Sequence, residues 1–454
     1  MGAESPLELV ALMRAAADSV TALRGTLIFC RDDPFLIERQ RALIHVPDGL
    51  VICRDGVIEA VGAYDELRGS LTADAVLADY SGCLIAPGFV DTHVHYVQTG
   101  IIGAQGPQLL NWLTDYAFVA EQDFADPSIA RTTAEVFCEQ LLRNGTTTAL
   151  VFCSVHAGSV DALFTAAEQR NLRLVAGKVL MDRNAPAGLI DTAQSGYDQS
   201  KALIGRWHGR GRCLYAITPR FAVTSTPEQL EAAAALWREH EGVFVQTHIA
   251  ENAAEIAWVA KLFPDRKDYL DVYSHYGLTG TRAVLAHGVH LGEADFERCH
   301  ASGTALAHCP TSNTFLGSGL FALRAARNAR RPVKVGLGTD IGGGTSFSLL
   351  ATMSEAYKVS QLRCEPIDAA EAFFLATLGG ARALALDDKV GTLAPGLEAD
   401  IVVLDLEATP LLAFRSRRSR SILETLALLM TLGDDRTVRA TYVAGRLAHA
   451  RAPD

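Results

Sequence analysis

Between Pro87 and Asp340 the chain repeats one pattern eight times: a short apolar segment of strand length, then a stretch with helical spacing. The segments are the one ending at His93, then Thr146–Phe152, Leu172–Leu180, Cys213–Thr218, Gly242–His248, Ala283–His287, Gly303–His308 and Pro332–Asp340. Buried parallel strands read as continuous apolar runs, and each needs a crossover to reach the next. Eight such units in about 300 residues predict a closed (β/α)8 barrel, whose chemistry sits at the C-terminal ends of the strands. An open doubly wound sheet would instead place a glycine-rich phosphate loop after its first strand. None follows His93. Gly342-Gly343-Gly344, after the eighth segment, lacks that spacing and reads as a turn or as flexible backbone beside a ligand.

Local punctuation supports the alternation. Asp126-Pro127 pairs an N-cap with the proline that suits the first helical position, and Asn144-Gly145 is a helix stop. Thr226-Pro227-Glu-Gln229 predicts a capping box. Outside the barrel the pattern is purely β. Gly25–Cys30, Ala42–Val46, Gly49–Cys53 and Val57–Gly62 read as strands, the last two joined by a tight Asp55-Gly56 turn. Asp400–Asp405 and Thr437–Val443, followed by a Gly445 turn, supply similar material at the other end. Neither set can bury a core alone. They predict one small β-sandwich domain from residues 21–86 and 388–454, flanking a barrel domain of residues 87–387. Residues 1–20 form an N-terminal extension read as a surface helix, without the basic start and apolar core of a signal peptide.

Net charge is −11 and no basic patch appears, which argues against a nucleic-acid partner. No apolar run reaches the length of a membrane span. The nine cysteines are scattered singly, with no C-x-x-C, and read as buried reduced thiols in a cytoplasmic protein.

Residues two apart on a strand face the same side, so His93 and His95 can grip one cation. Alone, a His-x-His pair also suits a solvated face. Here His248 and Asp340 end two further strands, and three nitrogens with one oxygen leave room for the water that a catalytic zinc keeps. Such a metal lowers the water's pKa towards about 7, and Asp340 can take the water's proton. Glu251 follows His248 by three residues; on a short helix it would face the same space and shuttle protons, although a helix-start glutamate is equally ordinary. His287, at the sixth strand end, can hydrogen-bond a developing oxyanion. His290 is read as turned away, and His308 as core or loop support. Gln98 can read a purine edge, Arg220 offers a donor fork and Phe221 a stacking face; taken singly they also fit loop and core. The H-x-E and P-C-x-x-C motifs of a different zinc-site design are absent.

Taken together, Pro87-Gly-Phe-Val-Asp-Thr-His93-Val-His95, His248-Ile-Ala-Glu251, His287 and Gly338-Thr-Asp340 resemble the amidohydrolase superfamily. The stretches His95-Tyr-Val-Gln98-Thr, Leu110-Asn-Trp-Leu113, Arg220-Phe221, Thr247–Asn252, His308–Gly319 and Thr339–Ser348 resemble its members that act on guanine. The resemblance implies one zinc ion (Zn2+) per subunit on His93, His95, His248 and Asp340. It implies guanine held by Gln98, Arg220, the Phe221 backbone and Glu251, with His287 close to the reacting carbon. Glu251, Asp340 and His287 are then the catalytic set, and guanine is hydrolysed to xanthine and ammonia in purine catabolism or salvage. A homodimer is implied as well. Many binuclear relatives carry a bridging lysine at the fourth strand end; this chain reads Thr218-Pro-Arg220 there, with Lys178 in the third strand, so one metal is expected. Ala250 stands where relatives often carry Ser. The competing expectations are a sister aminohydrolase acting on another purine, cytosine or an s-triazine, and a non-catalytic scaffold relative.

Overall fold

The computed structural model describes residues 20–452. The helix expected over residues 1–20 lies outside them, apart from Val20. Four strands come first: β1 (Thr21–Cys30), β2 (Leu43–Arg54), β3 (Val57–Ala63) and β4 (Val76–Pro87). Nine follow: β5 (Phe89–His95), β6 (Thr146–Phe152), β7 (Arg173–Gly177), β8 (Val179–Leu180), β9 (Leu214–Pro219), β10 (Phe244–Ile249), β11 (Ala283–His287), β12 (Ala305–His308) and β13 (Val335–Leu337). Three close the chain: β14 (Ile401–Asp405), β15 (Val438–Val443) and β16 (Arg446–Ala450).

Strands β5 to β13 form the parallel barrel, in the order β5-β6-β7-β9-β10-β11-β12-β13, with β8 paired only to β9. The third expected strand is therefore broken at Lys178, whose fully buried ammonium pairs with the Asp191 carboxylate. Just before the break, a Cβ on Gly177 would lie 1.7 Å from the Ala216 carbonyl oxygen, so only glycine lets β7 and β9 approach. The seam between β13 and β5 closes through a few bonds instead of a full ladder. Asp340 N donates to His93 O at 2.9 Å and Thr92 Oγ1 to Leu337 O at 2.9 Å. The Asp91 carboxylate takes Thr339 N at 3.1 Å and the Thr339 hydroxyl. These bonds set β5 beside the loop that carries Asp340.

The expected helix forms over Pro127–Arg143, with the Asp126 carboxylate accepting Ser128 N at 2.7 Å and Gly145 at φ +77°. At Thr226 only half of the expected capping box forms. Its oxygen accepts Gln229 N at 3.3 Å, but its own N–H goes to Asp182 at 2.7 Å and the Gln229 amide oxygen accepts Ser225 Oγ. A tertiary carboxylate has outcompeted the local partner.

The chain ends build one seven-stranded sheet, β16-β15-β14-β4-β1-β2-β3, antiparallel except between β1 and β4. Leu27, Val51 and Ile58 from the N-terminal strands pack in one buried cluster with Ile401, Val403 and Tyr442 from the C-terminal ones. The two segments expected at Ala42–Val46 and Gly49–Cys53 are one strand. A bulge opposite Thr26 on β1 absorbs Pro47, which has no N–H to give the ladder. Seven of the nine cysteines are buried as expected; Cys83 is half-buried and Cys364 exposed, and none is bonded to another. Among the described residues no helix is long and apolar enough to cross a membrane.

Charge joins the sheet to the base of the barrel. Glu398 accepts from Arg173 and from Arg212 Nη2 at 2.6 Å, and Arg212 also reaches Asp400 at 2.7 Å. Burial would raise the Glu398 pKa, but the two guanidinium groups outweigh it and hold it below 4.5. A carboxylate depressed in the folded state stabilises fully above its unfolded pKa, and that contribution disappears as pH falls below about 4.5. Glu398→Ala is expected to lower stability by about 3 kcal/mol, because both arginines are left largely buried. Urea denaturation checks this: the gap to the parent chain should be full at pH 7 and shrink on acidification below 4.5, and a gap independent of pH would contradict the assignment.

Candidate active site

Every residue of β5 is buried, and its alternation turns His93 and His95 to one side with ring centroids 5.0 Å apart. His248 is the penultimate residue of β10 and His287 the last of β11. Asp340 lies three residues past β13. Ala250, His287 and Asp340 all carry positive φ, at +47°, +72° and +50°. Such backbone is costly for non-glycine residues and gathers where surrounding structure over-determines a site.

The donor atoms converge. His95 Nε2 and His248 Nε2 are 3.1 Å apart, and Asp340 Oδ1 lies 3.2 Å from His93 Nε2 and 3.5 Å from His95 Nε2. His248 Nδ1 gives its proton to the Arg220 carbonyl at 2.6 Å, which fixes the tautomer and leaves Nε2 bare towards the cluster. Burial holds the pKa of His93 below the usual histidine value, and those of His95 and His248 well below it. Neutral imidazoles are the form that binds metal. His93 Nε2 and His287 Nε2 are buried without a hydrogen bond among the described residues. Lone pairs aimed at a shared centre, with a carboxylate oxygen beside them, suit a divalent cation. Two overlapping groups bring their ligand atoms within 4.8 Å of one another: His93, His95 and Asp340, and His93, His248 and His287. His287 differs from the other histidines in its surroundings. Its Nδ1 is bound to Asn313 Oδ1 at 2.9 Å and its Nε2 lies 3.4 Å from Glu251 Oε2. Burial lowers its pKa, but the Glu251 and Asp340 carboxylates more than offset this and raise it.

Glu251 lies in the loop between β10 and the helix Ala253–Leu262, and the anticipated helical turn does not include it. Asn252 caps that helix in a box with Glu255, whose Oε2 also accepts Glu251 N at 2.9 Å. Ser318 Oγ donates to Glu251 Oε1 at 2.9 Å. Burial pushes the Glu251 carboxyl up to about 7. Glu255 and Ser318 escaped the sequence reading, although the spacing Asn252-x-x-Glu255 is a legible capping box.

Gln98, Arg220 and Phe221 line a cavity with His95, His248, Glu251, His287 and Asp340, under the apolar side chains of Leu109, Trp112 and Leu113. His93 sits behind this surface. Sequence reasoning also missed Glu121, a fully buried residue of the helix Phe118–Gln122. It accepts Gln98 Nε2 at 2.9 Å and Arg220 Nη1 at 2.8 and 2.6 Å. Its only sequence signal is a carboxylate at helical spacing from Ala117, Phe118 and Phe124. His290 Nε2 is engaged by the Ser318 carbonyl at 3.0 Å. His308 is buried against Phe321, has no hydrogen bond on either ring nitrogen among the described residues, and is pushed down to about 3 by burial.

A parallel barrel with buried imidazoles and carboxylates gathered at the C-terminal ends of its strands is the architecture of a hydrolase with room for a divalent ion. The sequence pattern of the amidohydrolase family matches residues 84–448, and the chain belongs to that family. Over 442 residues it is 51% identical to the guanine deaminase of Escherichia coli strain K12, across 97% of this chain and 100% of that protein. The solved E. coli guanine deaminase superposes with a TM-score of 0.93 over 95% of this chain and 100% of that one, at 51% identity. The guanine deaminase of C. acetobutylicum, solved with guanine bound in its active site, superposes with a TM-score of 0.85 at 27% identity, over 94% of this chain and 100% of that one.

Proposed function

We propose that this chain hydrolyses guanine to xanthine and ammonia. The observation that carries the reading is that Gln98 and Arg220 face the same cavity as Glu251 and His287, directly over the histidine–aspartate cluster, in a chain similar end to end to guanine deaminases. His93, His95, His248 and Asp340 would hold one zinc ion per subunit, which when bound supplies a water acidified towards a pKa of about 7. A single ion fits the fourth strand end, which reads Thr218-Pro-Arg220 with no lysine, while Lys178 is engaged by Asp191.

The remaining chemistry belongs to the side chains. Arg220 turns N–H groups, and Gln98 its amide, towards the ring; Phe221 packs beside it. Trp112 and Leu113 exclude bulk water, which strengthens every polar contact inside. Asp340 accepts a proton as the attacking oxygen forms its bond to the carbon that bears the amine. Glu251, near-neutral and beside that space, passes a proton to a ring nitrogen and then to the departing amine. His287 Nε2 steadies the oxygen at the reacting carbon. The same reading treats residues 21–86 with 388–454, and residues 87–387, as two domains. It makes the protein a cytoplasmic homodimer that binds a small purine and no nucleic acid, in keeping with its acidic charge and unpaired cysteines.

Ammonia release from zinc-loaded protein, given guanine, adenine, cytosine and an s-triazine side by side, tests this. Guanine should react and yield the absorbance of xanthine. Turnover of another ring alone would retain the metal chemistry and discard the substrate assignment; inactivity towards all four would point to a scaffold relative.

A further inference from the structure

We propose that Glu121 decides which ring edge the pocket accepts, by fixing the Gln98 amide and one arm of Arg220. The proposal rests on the reading of the cavity as a guanine site and concerns how that site selects its ring. An amide can present either a donor or an acceptor to a ligand, and nothing in Gln98 itself chooses between them. Glu121 makes the choice. Both its oxygens already accept from Arg220 Nη1, so it is an acceptor, and only the Gln98 NH2 group can meet it. The carbonyl oxygen of Gln98 is thereby turned the other way, against Gly342, where a Cβ would stand 2.2 Å from it. Reversal of the amide would set two oxygens face to face in a fully buried place. Arg220 is constrained in the same act. Its Nη1 is committed to Glu121, while Nε and Nη2 have no bond to any described residue and remain as donors at the cavity. The Glu121 backbone is held in turn by Ser154 Oγ at 3.1 Å.

The pocket therefore displays one acceptor beside a pair of donors. The complementary ligand carries a ring N–H next to a ring carbonyl, which is the N1–H and O6 edge of guanine. 2,6-Diaminopurine keeps the same 2-amino leaving group and inverts that edge, with an amine in place of the carbonyl and a bare N1. It isolates edge reading from the chemistry of the reacting carbon. Glu121 does not touch the ring in this account; it is a positioning residue.

The test measures kcat and KM for both purines with zinc-loaded protein, in the parent chain and in Glu121→Gln, whose amide can accept or donate and so frees Gln98 to turn. The ratio of kcat/KM for guanine over 2,6-diaminopurine is expected to narrow by about 10–100-fold, mainly through a higher KM for guanine, with zinc content unchanged. In a Gln98→Leu background the same substitution should narrow it by much less, because only the Arg220 arm remains to be released. Glu121→Asp, which keeps a charge beside Arg220 while withdrawing from Gln98, serves if Glu121→Gln does not fold, and the same narrowing is expected. A folded, zinc-replete variant whose ratio matches the parent overturns the proposal, as does full narrowing in the Gln98→Leu background. Failure of the underlying reading looks different: the parent chain itself would not turn over guanine.

Discussion

Glu251→Gln is expected to lower kcat by about 10²–10⁴-fold while metal content stays at the parent level. The substitution is isosteric, and the amide can still accept the Ser318 hydroxyl that holds Oε1 at 2.9 Å. What it cannot do is take up a proton and return it. Burial brings the Glu251 carboxyl to about 7, so both protonation states are accessible near neutrality, which is the condition for efficient transfer. Because the proposed metal ligands are His93, His95, His248 and Asp340 and do not include Glu251, metal analysis of the purified variant should match the parent. Turnover near the parent rate would remove Glu251 from the proton path. Loss of the metal together with activity would instead make it a ligand.

Arg220→Ala should act on binding and on stability together. Loss of a charged donor to the ring raises KM for guanine by about 10–100-fold. The second effect comes from Glu121, fully buried and left without its cation, at a cost of about 3–5 kcal/mol. The two consequences separate in the double variant Arg220→Ala with Glu121→Gln, which removes the stranded charge. Denaturation should show most of the stability restored, and KM should stay high. An unchanged KM in the single variant would take Arg220 out of the pocket.

Much of this protein follows from short-range rules. Strand alternation by itself put His93 and His95 on one face, and the apolar runs placed His248, His287 and Asp340 at or just past strand ends. Asp126-Pro127 and Asn144-Gly145 bounded a helix to the residue, because capping is satisfied by atoms only a few positions away. These features depend on covalent geometry and near neighbours, both written in the sequence.

The tertiary structure decided the rest. Glu251 reached the site through the left-handed turn at Ala250 and the bond from its N–H to Glu255, where a helical turn was expected. Asp182 took the Thr226 N–H that a local capping box would have claimed. The third barrel strand is interrupted at Lys178, whose buried ammonium pairs with Asp191, 13 positions on. Above all, Glu121 met Gln98 and Arg220, residues 23 and 99 positions away, only because the segment between β5 and β6 folds over the barrel mouth. The sequence by itself determined which chemical groups stand at the strand ends, since period and capping act within a few residues. Which groups pair across the mouth was left to packing, because a buried charge is satisfied by whatever partner the folded chain brings within about 3 Å of it, at any separation along the chain.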